Sequence, residues 1–162
     1  MLMSKLGKEV SALTGKPSST DFLKSIGADN IIMRDEYLEA PAKALERPLF
    51  ASAIDTVGGN VLSKILPQIS PHGVVACCGN VAGIEVNTTV FPFILRGITL
   101  AGIDSAESPI EFKTSIWNKF ADEWKLDLSS MIKVVSKESL QQEIDLILEG
   151  GQQGRVVLQH GE

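Results

Sequence analysis

Short apolar runs alternate with amphipathic stretches along most of the chain. The clearest case is Ala51–Ile54, a small-and-apolar run that ends in Asp55-Thr56-Val57-Gly58-Gly59. An amphipathic stretch over Asn60–Ile69 follows at once, then a second apolar run, GVVACCG over Gly73–Gly79. A buried strand, a glycine turn, a helix and a second buried strand make a parallel crossover unit. Ala51–Ile54 is expected to be a central strand. Ligands of such sheets bind beyond the carboxyl ends of the strands, here past Asp55 and past Gly79.

The same alternation runs through the rest of the chain. Met1–Lys8 reads as the end of a helix, with Gly7 as its stop and Lys5 and Lys8 where a helix C-terminus favours cations. Glu9–Leu13 is a strand, and Thr14-Gly15-Lys16-Pro17 turns the chain into a helix capped by Ser18 or Ser19 and stopped by Gly27. Asn30–Met33 is the next strand, and a helix-prone segment runs from Arg34 to about Leu45. After the opening unit, Val90–Leu95 reads as a short helix with Pro92 in its first turn, and Thr99–Ile103 as a strand. Ser108-Pro109 opens a helix over Ile110–Trp124. Ile132–Val135, a helix from Lys137 to about Glu149, and Arg155–Gln159 close the pattern. Alternating strands and helices predict a doubly wound, Rossmann-like α/β parallel sheet.

Composition narrows the function. The 162 residues are 44% hydrophobic and 22% charged, enough for a packed core. A net charge of -5 argues against sequence-independent nucleic-acid binding, which needs a basic face. Val90–Ile103 is broken by Pro92 and Arg96 and is too short to cross a membrane, and Met1–Lys8 has no secretory pattern. The expectation is a cytoplasmic protein. Cys77 and Cys78 are neighbours, a poor arrangement for a disulfide framework and a poor chelate for tetrahedral zinc, even with His72 and His160 in the chain. Both are expected as small core residues near a strand end.

The dinucleotide-binding fingerprint, a strand followed by G-x-G-x-x-G and a helix, is absent. Gly79-Asn80-Val81-Ala82-Gly83 has the wrong spacing and follows a late strand. The chain opens where the second half of such a unit would begin, so the first strand and phosphate loop are expected upstream of Met1. The end of the second strand in this fold distinguishes NAD, which meets a carboxylate there, from NADP, which meets a cation. Here that position holds Thr14-Gly15-Lys16 with Ser18 and Ser19, and Arg34 ends the next strand. A solvated turn lysine and an NADP contact both fit Lys16; two basic groups at strand ends favour NADP.

VSALTGKPSSTDFLKSIGADNIIMRDE, AIDTVGGNVLSKILPQISPHGVVACCGNVAG, TTVFPFILRGITLAGIDS and the closing QGRVVLQ resemble the zinc-independent medium-chain dehydrogenase/reductases, in the acrylyl-CoA reductase and quinone oxidoreductase branch. The resemblance covers almost the whole chain; PFILRGITLAGIDS is specific to the branch and IDTVGG is shared more widely. It implies a homodimer that reduces an activated carbon–carbon double bond, in acrylyl-CoA or a quinone-like enone, by hydride transfer from NADPH. It also implies a division into residues 1–130, a partial NADP-binding Rossmann domain, and 131–162, a helix and strand returning to a GroES-like catalytic domain that this chain does not contain. Carried over by position, Thr14, Gly15, Lys16 and Arg34 look like adenosine-phosphate contacts, Asn80 sits where the strand-end loop meets the nicotinamide half, and Ile94 and Ser105 fall on further cofactor-lining positions. No residue of this chain is assigned a catalytic or metal-binding role. Without the catalytic domain the chain alone is expected to be inactive, and Arg155–Gln159 to lack its usual strand partner.

Other readings remain beside these. Asp55 fits a turn aspartate bonding nearby amides better than a general acid or base. Trp117, Phe120 and Trp124 at helical spacing fit a core or subunit stripe better than a pocket. Ser105 fits a loop serine and a binding-rim residue equally. Thr99–Ile103 suits an edge strand pairing across a two-fold axis. A truncated, non-catalytic nucleotide-fold module that dimerises or binds a partner is the alternative function, and a methyltransferase fold is weaker because it gives Lys16 no role.

Overall fold

A computed structural model describes residues 1–160, so the last two residues of the expected segment 131–162 lie outside the described residues. The chain divides into two compact units, one of Met1–Met33 with Thr114–Glu162 and one of Arg34–Lys113.

The first unit opens with α1 (Leu2–Lys5), whose chain leaves through Gly7 at φ 71°, the left-handed stop that the sequence anticipates. β1 (Ser11–Thr14) and β2 (Asn30–Met33) pair in parallel, joined by a 3-10 turn at Pro17–Ser19 and α2 (Thr20–Ser25). Ser19 stands at the N-cap of α2, but its hydroxyl makes no capping bond.

The second unit begins with α3 (Arg34–Glu39). This helix stops well short of Leu45 because Pro41 disfavours helical backbone at Ala40. A three-stranded parallel sheet follows, ordered β3 (Ala53–Asp55), β4 (Val74–Cys77), β5 (Thr99–Gly102), with α4 (Gly59–Ile65) and α5 (Phe91–Arg96) as its crossovers. Among the described strands β4 is central, and β3, the strand expected at the centre, pairs on one side only. The helix expected over Asn60–Ile69 ends at Ile65 and tightens to a 3-10 turn at Leu66–Gln68. Pro67 has no N–H for the bond that would continue it.

The first unit then resumes along α6 (Ile110–Ala121), which begins in the second. It closes with β6 (Ile132–Val135), α7 (Leu140–Leu148) and β7 (Arg155–Leu158), the two strands parallel. The closing strand, expected to be without its usual partner, pairs with β6 of the same chain. Trp117 is 71% exposed, so the aromatic residues of α6 are not core within this chain. Their rings pack against one another and onto the turn that follows, Trp117 tilted against Phe120 at 6.2 Å and Phe120 edge-on to Trp124 at 5.6 Å.

The main core lies between α4 and one face of β3–β4–β5. Leu62, Leu66, Ile69, Val75 and Ile98 form it, backed by Phe50, Ala53, Phe93 and Leu100. The opposite face carries Ile54, 69% exposed. A polar network pins the segment before β3 onto this core. Tyr37 donates to Gln68 Oε1 at 2.7 Å, and the Gln68 amide donates to Glu46 Oε2 at 2.8 Å. Arg96 donates to the carbonyls of Pro67 and Ile69 at 2.7 and 3.0 Å, and to that of Glu46. Burial pushes the Glu46 carboxyl up, but the Gln68 amide, the Lys43 backbone N–H and the Lys64 and Lys43 charges outweigh it and hold it below the usual carboxylate range.

Leu66 is fully buried at the centre of this packing. Leu66→Ala is expected to destabilise the chain by about 2–5 kcal/mol, read from urea denaturation followed by circular dichroism.

Candidate functional site

Parallel pairing puts the carboxyl ends of each sheet's strands at one edge, and the loops beyond them form a rim. In the first unit that rim is the turn after β1. Thr14 ends the strand opposite Met33. Its Oγ1 accepts the Lys16 N–H at 3.1 Å, which closes the turn around the exposed Gly15. Lys16 is half-buried, and its Nζ donates to Gln152 O at 3.1 Å. The ion pairs of the described residues are Arg34–Asp35, Lys119–Glu123 and Lys133–Glu143, so the Lys16 ammonium has no carboxylate partner among them.

The second unit holds the other expected site residues. Arg34 opens α3, with Nε 3.2 Å from Asp35 Oδ1 and much of its side chain exposed. Asn80 and Ser105 each lie three positions past a strand end, after β4 and β5, and both are exposed. Ile94 sits on α5 and is 69% exposed. Thr14, Gly15 and Lys16 are thus brought together in one unit, and Arg34, Asn80, Ile94 and Ser105 are carried by the other.

What organises the second rim is backbone packed against backbone. Asp55 is buried, and its two carboxylate oxygens accept the Gly58 N–H at 3.2 and 3.0 Å. This is the turn role anticipated for it. The β3 turn is then tied to the β4 loop: Cys78 N–H donates to Asp55 O at 2.9 Å, and Ala82 N–H to Val57 O at 2.8 Å. Gly58, at φ 70°, bridges to Gly83. A Cβ on Gly79 would sit 2.1 Å from Thr56 O, so the approach that places Asn80 admits only glycine. After β5, Asp104 Oδ1 accepts the N–H groups of Ala106 and Glu107, both at 3.1 Å, and Ser108 donates to Asp104 O at 2.7 Å. Ser105 therefore rides on a fixed turn. Asp104 was not singled out from the sequence, although an aspartate just past a strand is a turn signal in its own right.

The cysteines differ from expectation. Cys77 is half-buried, but Cys78 is exposed, because it lies past the last paired residue of β4. Partial burial, and then the Asp55 carboxylate 3.6 Å from its sulfur, raise the Cys77 thiol above its ordinary range. No group of three or more His, Cys, Asp or Glu side chains able to hold a metal ion occurs among the described residues. No helix among them is long and apolar enough to cross a membrane.

A family model described as zinc-binding dehydrogenase matches residues 1–122. The acrylyl-CoA reductase AcuI of Ruegeria pomeroyi is 38% identical over 97% of this chain and 48% of its own. The yhdH oxidoreductase of Salmonella enterica, solved in complex with NADP, superposes with a TM-score of 0.87 at 35% identity, over 99% of this chain and 49% of that one. The Bacillus subtilis protein yhfP, solved with NAD bound, does so at 0.91 and 36%, over 98% and 49%. The chain thus spans about half the length of these relatives.

The glycine approach has a direct test. Gly79→Ala is expected to cost about 1–3 kcal/mol of stability. Gly102→Ala, where nothing lies within 4 Å of the added carbon, is expected to stay within about 0.5 kcal/mol of the parent. Parallel urea titrations followed by circular dichroism check both.

Proposed function

The chain belongs to the zinc-binding dehydrogenase family, in the acrylyl-CoA reductase and quinone oxidoreductase branch of the medium-chain dehydrogenases, and from that we propose that it is the cofactor-binding portion of an NADPH-dependent oxidoreductase. The observation that carries the proposal is Lys16, a cation at the carboxyl end of β1 with no carboxylate partner among the described residues. An NAD-type site would place an acidic side chain there to meet the ribose hydroxyls. Lys16 instead suits the additional phosphate of NADP, with Thr14 shaping the turn and Gly15 leaving room for the sugar. Arg34 is proposed as a second cation for the adenosine half. Asn80 is proposed for the nicotinamide half, with Ile94 and Ser105 as further cofactor-lining positions. The relatives solved with NADP and NADPH support this reading, and the yhfP structure with NAD is the reason to test it against both cofactors.

When bound, NADPH supplies the hydride. The task of this chain's residues is to hold the nucleotide rigidly enough that the acceptor meets a fixed nicotinamide, since orientation accounts for a large share of such rate enhancements. The acceptor class is an activated carbon–carbon double bond, as in acrylyl-CoA or a quinone-like enone, following the acrylyl-CoA reductase and quinone oxidoreductase names of the relatives. In the proposed division, residues 1–130 hold the cofactor and 131–162 return toward a catalytic domain.

A second reading, a non-catalytic module that docks a partner, is favoured by the exposed aromatic residues of α6. Titration of NADPH and NADH, followed through the cofactor's own emission, separates the two. Tighter binding of NADPH, reduced by about tenfold or more in Lys16→Glu, is the expected result. Equal binding of NADH would remove the role given to Lys16, and binding of neither would leave the docking module.

The quaternary proposal is a homodimer paired through β5, which is an edge strand of its three-stranded sheet. Light scattering is expected to give twice the chain mass of 17.4 kDa, and a monomeric mass would exclude the pairing.

A further inference from the structure

The turn that carries Lys16 is clamped from the far end of the sequence. The loop between α7 and β7 reaches it through three hydrogen bonds, all within the first compact unit. Gln152 O accepts from Lys16 Nζ at 3.1 Å. The Gln153 side-chain amide donates to Ser18 O at 3.2 Å and to Ser19 Oγ at 3.1 Å. Ser19 is buried, and its hydroxyl serves this clamp rather than the cap of α2.

The chemistry of the clamp is selective. A lysine side chain is a charge on a flexible stem, and ordering it costs about 2 kcal/mol of rotamer entropy, which falls on the ligand if the ligand does the ordering. A backbone carbonyl can do the ordering beforehand. It carries no net charge, so it orients the ammonium without neutralising it. An ammonium has three donors, and one is used here, which leaves two for an anion. Both donors of the Gln153 amide are occupied within the clamp. Gln153 therefore does not touch a ligand through that group; it fixes the loop whose preceding carbonyl aims Lys16.

We propose that Gln153 is a positioning residue for cofactor choice: it ties the 152–153 loop to Ser18 and Ser19, so that Gln152 O presents Lys16 to a nucleotide 2′-phosphate. The inference rests on the reading of Lys16 as the 2′-phosphate contact. It adds a specificity determinant from the carboxy-terminal segment, a part of the chain to which no cofactor contact was assigned.

Two measurements on the full chain test it, with Gln153→Ala as the variant and Gln153→Glu as a second that keeps the length and loses the donors. Gln153 is exposed, so neither change opens a cavity. The first measurement needs no ligand: hydrogen exchange over residues 14–20 is expected to quicken by about three- to tenfold in both variants, the loss of roughly one net hydrogen bond. The second compares adenosine 2′,5′-bisphosphate with 5′-AMP. Affinity for the bisphosphate is expected to fall by about three- to tenfold while that for 5′-AMP holds, so the ratio between the two ligands shrinks. Unchanged exchange would overturn the clamp. Equal losses for both ligands would reduce Gln153 to a fold residue and overturn the specificity role. A parent chain that favours the bisphosphate, with variants that favour it equally, would overturn the positioning role and leave Lys16 as the contact. A parent that binds the two ligands equally would overturn the reading of Lys16 and the inference with it.

Discussion

Every strand pair in the described sheets is parallel, so each strand must be followed by a crossover that carries the chain back to the opposite edge. This fixes both the helices and the loops. The crossover helices have to bury an apolar stripe on the sheet, which is why Leu62 of α4 and Leu66 of the 3-10 turn after it meet Val75 of β4. The loops at the carboxyl ends are left free of that task and gather at one edge of each sheet. Lys16 lies just past a strand on the rim of the first unit, and Asn80 and Ser105 just past strands on the rim of the second.

The rims are nonetheless not loose. Each is fastened by a short-range device acting on backbone groups that have no strand partner. Asp55 and Asp104 receive amide donors at the turns after β3 and β5. Thr14 does the same after β1. Backbone N–H groups at a strand end must find an acceptor, and a side chain one to three residues back supplies it at little entropic cost. Where two loops meet, between Gly58 and Gly83, the absence of side chains lets main chain bond to main chain. Held in this way, a surface loop can serve as a template for a ligand.

Local signals made most of this legible. The order of strands and helices followed from alternation, and the turn at Asp55–Gly59 from a residue set with a specific conformational use. Legibility failed where a local backbone restriction overrode the apolar spacing, and where the cause was not local. Pro41 and Pro67 each sit inside a stretch whose apolar spacing still looks helical, and backbone chemistry overrode the spacing in both cases. The position of β3 at the side of its sheet depends on which strands are present, not on its own composition. Cys78 reads as core from its apolar neighbours but lies one residue beyond the ladder, where the alternation of faces stops. The bonds from Gln152 and Gln153 to Lys16–Ser19 cross a separation of well over a hundred residues, and two glutamines between glycines carry no pattern that points to a partner.

The aromatic residues of α6 and the turn after it have an optical consequence. Trp117 and Trp124 are the two tryptophans of the chain, and both adjoin Phe120 in a run of touching rings. Lys119 Nζ lies 4.9 Å from the centre of the Trp124 ring, so one chromophore also feels a nearby positive charge. Trp117 is already largely in water in the folded state. Tryptophan emission from this protein is therefore a signal from one surface helix and its neighbouring turn. The packing behind β4, which contains no indole, can be lost without that spectrum registering it.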